Sequence, residues 1–144
     1  VKSLIAALGV LIAGAVGARS AEYTVRMKFN PDLEKVYFEP ARLEIKSGDT
    51  VVWIQDDSEH NHNVVAYADG IPEGADFFES PMLRRKGQRW ARTFTMSGTY
   101  RYHCHPHEDR GMSGIVIVDR PSRPEEFRMP KPGEHIHSGG SHKH

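Results

Sequence analysis

The residues best equipped for chemistry stand together in Tyr100-Arg101-Tyr102-His103-Cys104-His105-Pro106-His107, followed by Met112. Cys104, His107 and Met112 give the spacing C-x2-H-x4-M, and upstream His60 and His62 precede the short apolar pair Val64-Val65. A thiolate, two imidazoles and a thioether form the donor set that suits copper cycling between Cu(I) and Cu(II). The thiolate and imidazoles favour a near-trigonal plane, and a long, weak thioether bond tunes the potential. Thiolate covalency stabilises Cu(II) while the thioether favours Cu(I), so neither state dominates. The competing use of Cys104 is as a nucleophile with His107 as base. That chemistry needs an oxyanion hole and an orienting acid, for which the sequence offers no counterpart. With one cysteine in 144 residues, an internal disulfide and the multi-cysteine zinc sites are excluded.

Such donors need a rigid frame, and the pattern around them is that of strands. Tyr23, Val25, Met27 and Phe29 alternate with polar residues, the period-2 signature of a half-buried strand. Leu43 and Ile45 continue it, Ser47-Gly48-Asp49 supplies a turn, and residues 51–54 resume a β-branched and aromatic run. Val64 and Val65 mark a short strand, and residues 68–86, rich in Gly and Pro, read as a long irregular connection. Trp90, Arg92, Phe94 and Met96 alternate next, and Ser97-Gly98 turns into Tyr100, Tyr102 and Cys104. Residues 115–118 are apolar throughout, as expected of a strand buried on both faces. About seven short strands separated by turn signals give an all-β fold class, a Greek-key β-sandwich. Along the strand that ends at Cys104, Tyr100 and Tyr102 share the inward face, while Arg101, His103 and His105 face outward. His103 and His105 are therefore poor partners for the metal of Cys104. His107 lies beyond Pro106, where the chain can turn back.

The composition fits one globular domain: 38% hydrophobic, 26% charged, 19 basic and 19 acidic residues for zero net charge. That balance argues against a nucleic-acid partner, which would call for a basic excess. Residues 1–20 read as a cleaved signal peptide: Lys2, a thirteen-residue apolar and glycine run over 4–16, then Val16-Gly17-Ala18 or Ala18-Arg19-Ser20 for cleavage. The run is too short to span a bilayer comfortably, so no stable membrane insertion is expected after cleavage. Loss of Lys2 and Arg19 takes the net charge from 0 to −2. Residues 21–120 form the domain. Residues 121–144, with Pro121, Pro124, Pro130 and Pro132 and a histidine-rich end, read as a flexible tail.

Within these boundaries the chain resembles the cupredoxins, plastocyanin and pseudoazurin in particular. The resemblance rests on three stretches: residues 43–51, Leu-Glu-Ile-Lys-Ser-Gly-Asp-Thr-Val; His62-Asn63-Val64-Val65 with Ile71-Pro72-Glu73-Gly74; and Gly98-Thr99-Tyr100 through Cys104, His107 and Met112-Ser113-Gly114. It covers roughly residues 23–119 and implies a cupredoxin-type Greek-key sandwich holding one type 1 copper on His62, Cys104, His107 and Met112. It favours His62 over His60 as the first ligand, and His107 as the electron's exit. It also implies a redox partner such as a cytochrome or an oxidase. The chain departs from plastocyanin in three places: His103 replaces the tyrosine before the cysteine, His105 replaces the small hydroxyl residue after it, and the acidic docking patches are not recognisable.

Seven of the nine histidines lie outside that ligand set. His60, His103 and His105 are the expected members of a second copper site at the surface, their alternative being plain solvation. His135, His137, His142 and His144 could capture copper in the tail. Two functions follow as expectations: an exported one-electron carrier, or a periplasmic copper-tolerance protein that sequesters free copper ions or oxidises Cu(I).

Overall fold

The computed structural model describes residues 19–121; the expected signal sequence and the histidine tail lie almost wholly outside them. Eight strands run in chain order: β1 Glu22–Asn30, β2 Lys35–Glu39, β3 Arg42–Ile45, β4 Thr50–Gln55, β5 Val65–Ala66, β6 Arg89–Thr93, β7 Gly98–His103 and β8 Ser113–Val118. They form two four-stranded sheets, ordered β2-β1-β4-β6 and β3-β8-β7-β5. Most neighbours are antiparallel, but β1 pairs β4 and β3 pairs β8 in parallel. The all-β sandwich read from the sequence is the observed architecture.

The alternation that marks β1 has the expected result: Val25 and Met27 are fully buried, whereas Thr24 and Arg26 face solvent. Trp53 of β4 lies at the centre of the core, edge-on to Tyr102 of β7 with ring centroids 5.4 Å apart. Asp49 pins the turn that precedes β4. Its carboxylate accepts the N–H groups of Ala21 and Lys46, both at 2.8 Å, and Gly48 takes the left-handed φ of 93° that the tight reversal needs.

Three elements differ from the sequence reading. Strand β2 was not foreseen, although Val36 and Phe38 alternate inward along it. Strand β8 is not buried on both faces: Val116 and Val118 enter the core, while Ile115 and Ile117 are half-buried on the outer side. A sandwich covers one face of each sheet, so an apolar outer face remains partly wet. Third, residues 78–83 are extended and run beside residues 62–66. Ala66 N–H donates to Phe78 O (2.9 Å), and Ser80 N–H donates to Val64 O (2.8 Å).

Gly114 of β8 stands opposite Tyr102 in the register, and a Cβ there would overlap the Tyr102 ring and hydroxyl. That ring is held by Trp53 and by Phe38, whose centroid lies 4.8 Å away, so it has nowhere to move. Gly114→Ala is expected to destabilise the protein by about 1–3 kcal/mol, the usual range for overpacking. Urea unfolding of the two proteins measures it, and equal midpoints would contradict the close approach.

Candidate metal centre

Strand β7 delivers the thiol. Tyr100 and Tyr102 point into the core, Cys104 continues the same side, and its side chain is fully buried. The strand stops there because Pro106 has no N–H to offer a sheet and suits the first turn of a helix. A short 3-10 helix, His105–Arg110, follows, and Gly111 at φ 74° reverses the chain. Main-chain bonds then close the loop on itself. His107 N–H donates to Cys104 O (3.1 Å), Met112 N–H to His107 O (3.2 Å), and Cys104 N–H to Met112 O (2.9 Å). Three of the expected donors are thus held by a loop of nine residues.

The fourth comes from the opposite side of the pocket. His62 exchanges two main-chain bonds with Leu83, at 3.1 and 2.8 Å. The buried Gln55 amide donates to His60 O (2.9 Å) and Leu83 O (3.0 Å), which fastens this loop to β4. Pairing of Val65 with His103 then sets His62 and Asn63 beside Cys104. Asn63 Oδ1 accepts the N–H of His105 at 2.8 Å, tying the two ligand-bearing segments together. This bond uses the backbone of residue 105, so the hydroxyl side chain missing at that position is not needed for it.

The donors converge. Cys104 Sγ lies 3.6 Å from His62 Nδ1 and 3.4 Å from His107 Nδ1, and the three ligand atoms are all within 4.8 Å of one another. Met112, 1% exposed, belongs to the same buried cluster as Cys104. His62 is fully buried, whereas His107 is half-buried and forms the outer wall.

Behind His62 stands a residue that the sequence reading missed. Asp57, nearly enclosed, accepts Glu59 N–H (2.7 Å) and lies 2.9 Å from His60 Nδ1 and 2.7 Å from His62 Nε2. Burial pushes its carboxyl up, but the hydrogen bonds from Glu59, His62 and His60 outweigh burial and hold it below the usual carboxylate range. An ionised carboxylate only accepts, so His62 Nε2 carries the proton. The lone pair of His62 is therefore on Nδ1, the atom that faces Cys104. The spacing D-x2-H-x-H was visible in the sequence, but nothing local shows that it folds back on itself.

This donor set fits a metal cation. Burial lowers His62 and His107 below the ordinary histidine value, so both imidazoles are neutral and able to ligate at pH 7. Burial also raises the Cys104 thiol, against the backbone N–H groups of Asn63 and His107 that pull it down. A thiolate at that position needs a cation beside it, and the Nδ1 atoms of two imidazoles already face the same space.

The metal-free protein is expected to lose stability as the pH falls through and below about 6.5, where an unfolded histidine titrates. His62, His103 and His107 all have depressed values in the fold. Their contribution is complete above the unfolded value and is lost as the pH falls through the folded ones. Depressed Asp57 acts in the same direction at lower pH. Urea midpoints of the metal-free protein across this range check it, and a flat profile would contradict the burial of these rings.

The three histidines expected to share a second site do not assemble. His60 is held by Asp57 and meets His107 edge-on, with ring centroids 5.5 Å apart. His103 faces away from Cys104, as expected, yet it is buried rather than solvated because Tyr67 covers it at 4.3 Å between centroids. His105 is exposed and stands with His103 and Glu108, not with His60.

The fold and the pocket have counterparts. A family model described as copper-binding proteins of the plastocyanin/azurin family matches residues 25–119. A putative pseudoazurin of Rhizobium leguminosarum bv. viciae is 33% identical over 129 residues, which span 89% of this chain and 81% of the relative. A chloroplastic plastocyanin of Tetradesmus obliquus is 36% identical over 115 residues, 78% of each chain. Among solved structures, the pseudoazurin of Methylobacterium extorquens AM1 aligns with a TM-score of 0.58 and 29% identity, covering 70% of this chain and 78% of its own. A purple cupredoxin of Nitrosopumilus maritimus aligns with a TM-score of 0.53 and 31% identity, covering 67% and 98%. The match runs across both sheets and both ligand-bearing segments, and on that ground the chain belongs to the plastocyanin/azurin family of copper-binding proteins, whose cofactor is one type 1 copper.

Proposed function

We propose that the protein is an exported one-electron carrier whose copper is held by His62, Cys104, His107 and Met112. The observation that carries this reading is the convergence of His62 Nδ1, Cys104 Sγ and His107 Nδ1 on one buried space. Copper bound there supplies a one-electron couple. The chain's own residues supply the rest. Asp57 fixes the His62 tautomer, and the Leu83 pairing fixes the backbone of His62. Closure of the Cys104–Met112 loop by main-chain bonds restrains the donors, so little geometry changes when one electron arrives. Burial of Cys104, His62 and Met112 keeps water from the donors, and His107 is the ligand nearest solvent. We assign His107 as the point where a redox partner protein, of the cytochrome or oxidase kind, exchanges the electron. Export is supported by the apolar run over residues 4–16.

Protein-film voltammetry of the copper-loaded chain tests the reading. A single reversible one-electron wave is expected. An irreversible response, or no wave from a fully loaded protein, would refute it. A second reading is copper tolerance, by sequestering copper or oxidising Cu(I). It is favoured by His103 and His105, which stand together outside the four-donor pocket. Catalytic loss of Cu(I) in the presence of oxygen, or copper uptake beyond one equivalent, would support that reading, and one equivalent without turnover would leave the carrier.

A further inference from the structure

We propose that His103, His105 and Glu108 form a separate surface site for an imidazole-preferring divalent cation of the Zn2+ or Cu2+ class. The inference stands whether or not the protein carries electrons. Each of the three offers one ligand atom, and these atoms lie within 4.8 Å of one another. His103 is the last residue of β7 and points to the side opposite Cys104, so the cluster and the buried pocket share no ligand. His105 and Glu108 are three apart on the 3-10 helix. The backbone kinks at His107 between them, and their ligand atoms still fall within 4.8 Å of each other.

His103 Nε2 and Glu108 Oε2 are 3.7 Å apart, too long for a hydrogen bond. Two donors each bonded at about 2.0–2.2 Å to a tetrahedral ion stand roughly 3.3–3.6 Å from each other, so the observed gap needs only a small contraction. The His103 ring is also otherwise unemployed. It is 6% exposed beneath Tyr67, and its Nδ1 has no hydrogen-bond partner among the described residues. No hydrogen bond commits the ring elsewhere, and Nε2 is the nitrogen that lies nearest the Glu108 carboxylate. His105 and Glu108 are exposed, so solvent reaches the cluster and water can complete the coordination. Two imidazoles and one carboxylate match zinc or copper, whereas magnesium and calcium would call for an all-oxygen set.

The test uses the full chain with its type 1 copper in place. His135, His137, His142 and His144 are replaced by asparagine so that the tail cannot contribute. Calorimetric titration with Zn2+ is expected to show uptake of one equivalent. His105→Ala and Glu108→Gln are each expected to weaken that uptake by at least about 10–100-fold, the range seen even for supporting groups of metal sites. The double variant is expected to abolish it. Both positions are exposed, and unchanged thiolate-to-copper absorption shows that the fold and the first site persist. Absence of Zn2+ uptake in the background protein, or equal uptake in the double variant, overturns the proposal.

Discussion

Replacing Cys104 by serine is expected to remove the intense thiolate-to-copper absorption completely and to weaken copper binding by well over a hundredfold. Loss of a group that merely supports a metal ligand costs about 10–100-fold, and Cys104 is the sulfur to which both imidazoles point. The hydroxyl of serine is not ionised at neutral pH and gives no comparable covalency with copper. The substitution is nearly isosteric, and the loop keeps its own main-chain closure from Cys104 to Met112, so the protein should remain folded. Absorption and copper titration of the variant, with circular dichroism as the control, measure the effect. Retention of the band in a folded Cys104→Ser protein would remove the thiolate from the metal.

Asp57→Asn is expected to lower copper affinity by about 10–100-fold and to raise the reduction potential. The carboxylate lies 2.7 Å from His62 Nε2 and 2.9 Å from His60 Nδ1, and it accepts Glu59 N–H at 2.7 Å. An amide has a single accepting oxygen. If that oxygen keeps Glu59, the amide nitrogen faces His62 Nε2 and demands the opposite tautomer, which puts a proton on the ligating Nδ1. If the amide turns over, Glu59 N–H loses its acceptor. The second arrangement loses one part-buried hydrogen bond, about 0.5–1.5 kcal/mol of stability. The loss of negative charge behind His62 also makes the imidazole a poorer donor to Cu(II), which sets the sign of the potential. Copper competition titrations and voltammetry read the two effects. Wild-type affinity and potential in the variant would show that Asp57 only holds the loop in shape.

What could be read in the chain beforehand follows from how local each feature is. Strand β1 was plain because Val25 and Met27 alternate with Thr24 and Arg26 over a long enough run. The loop from Cys104 to Met112 was plain because its donors are close in sequence and Pro106 marks the turn between them. Strand β2 escaped because Val36 and Phe38 are only two inward positions between charged ends. The pairing of residues 78–83 with 62–66 escaped for another reason: it is made of main-chain bonds and the Ser80 hydroxyl, and leaves no hydrophobic alternation to read. Burial of His103 depends on Tyr67, which reaches it through the tertiary fold. Asp57 shows the same limit. A carboxylate three and five residues ahead of two histidines is legible as spacing, but its burial beside Gln55, whose side chain takes the Asp57 N–H, is not.

The parallel pairing of β3 with β8 bears on the order in which the molecule can form. Arg42 meets Ile115 and Ile45 meets Val118, and the Ser47 N–H is taken by the Asp119 carboxylate, 72 residues away. The second sheet therefore has no stable edge for β3 until almost the whole domain is present, and contacts this distant in sequence form slowly. A nascent chain leaving the ribosome carries His62 and its Asp57 long before it carries the thiol. Assembly of the metal pocket is for that reason expected late, because the strand that leads to Cys104 pairs with β8, near the end of the domain.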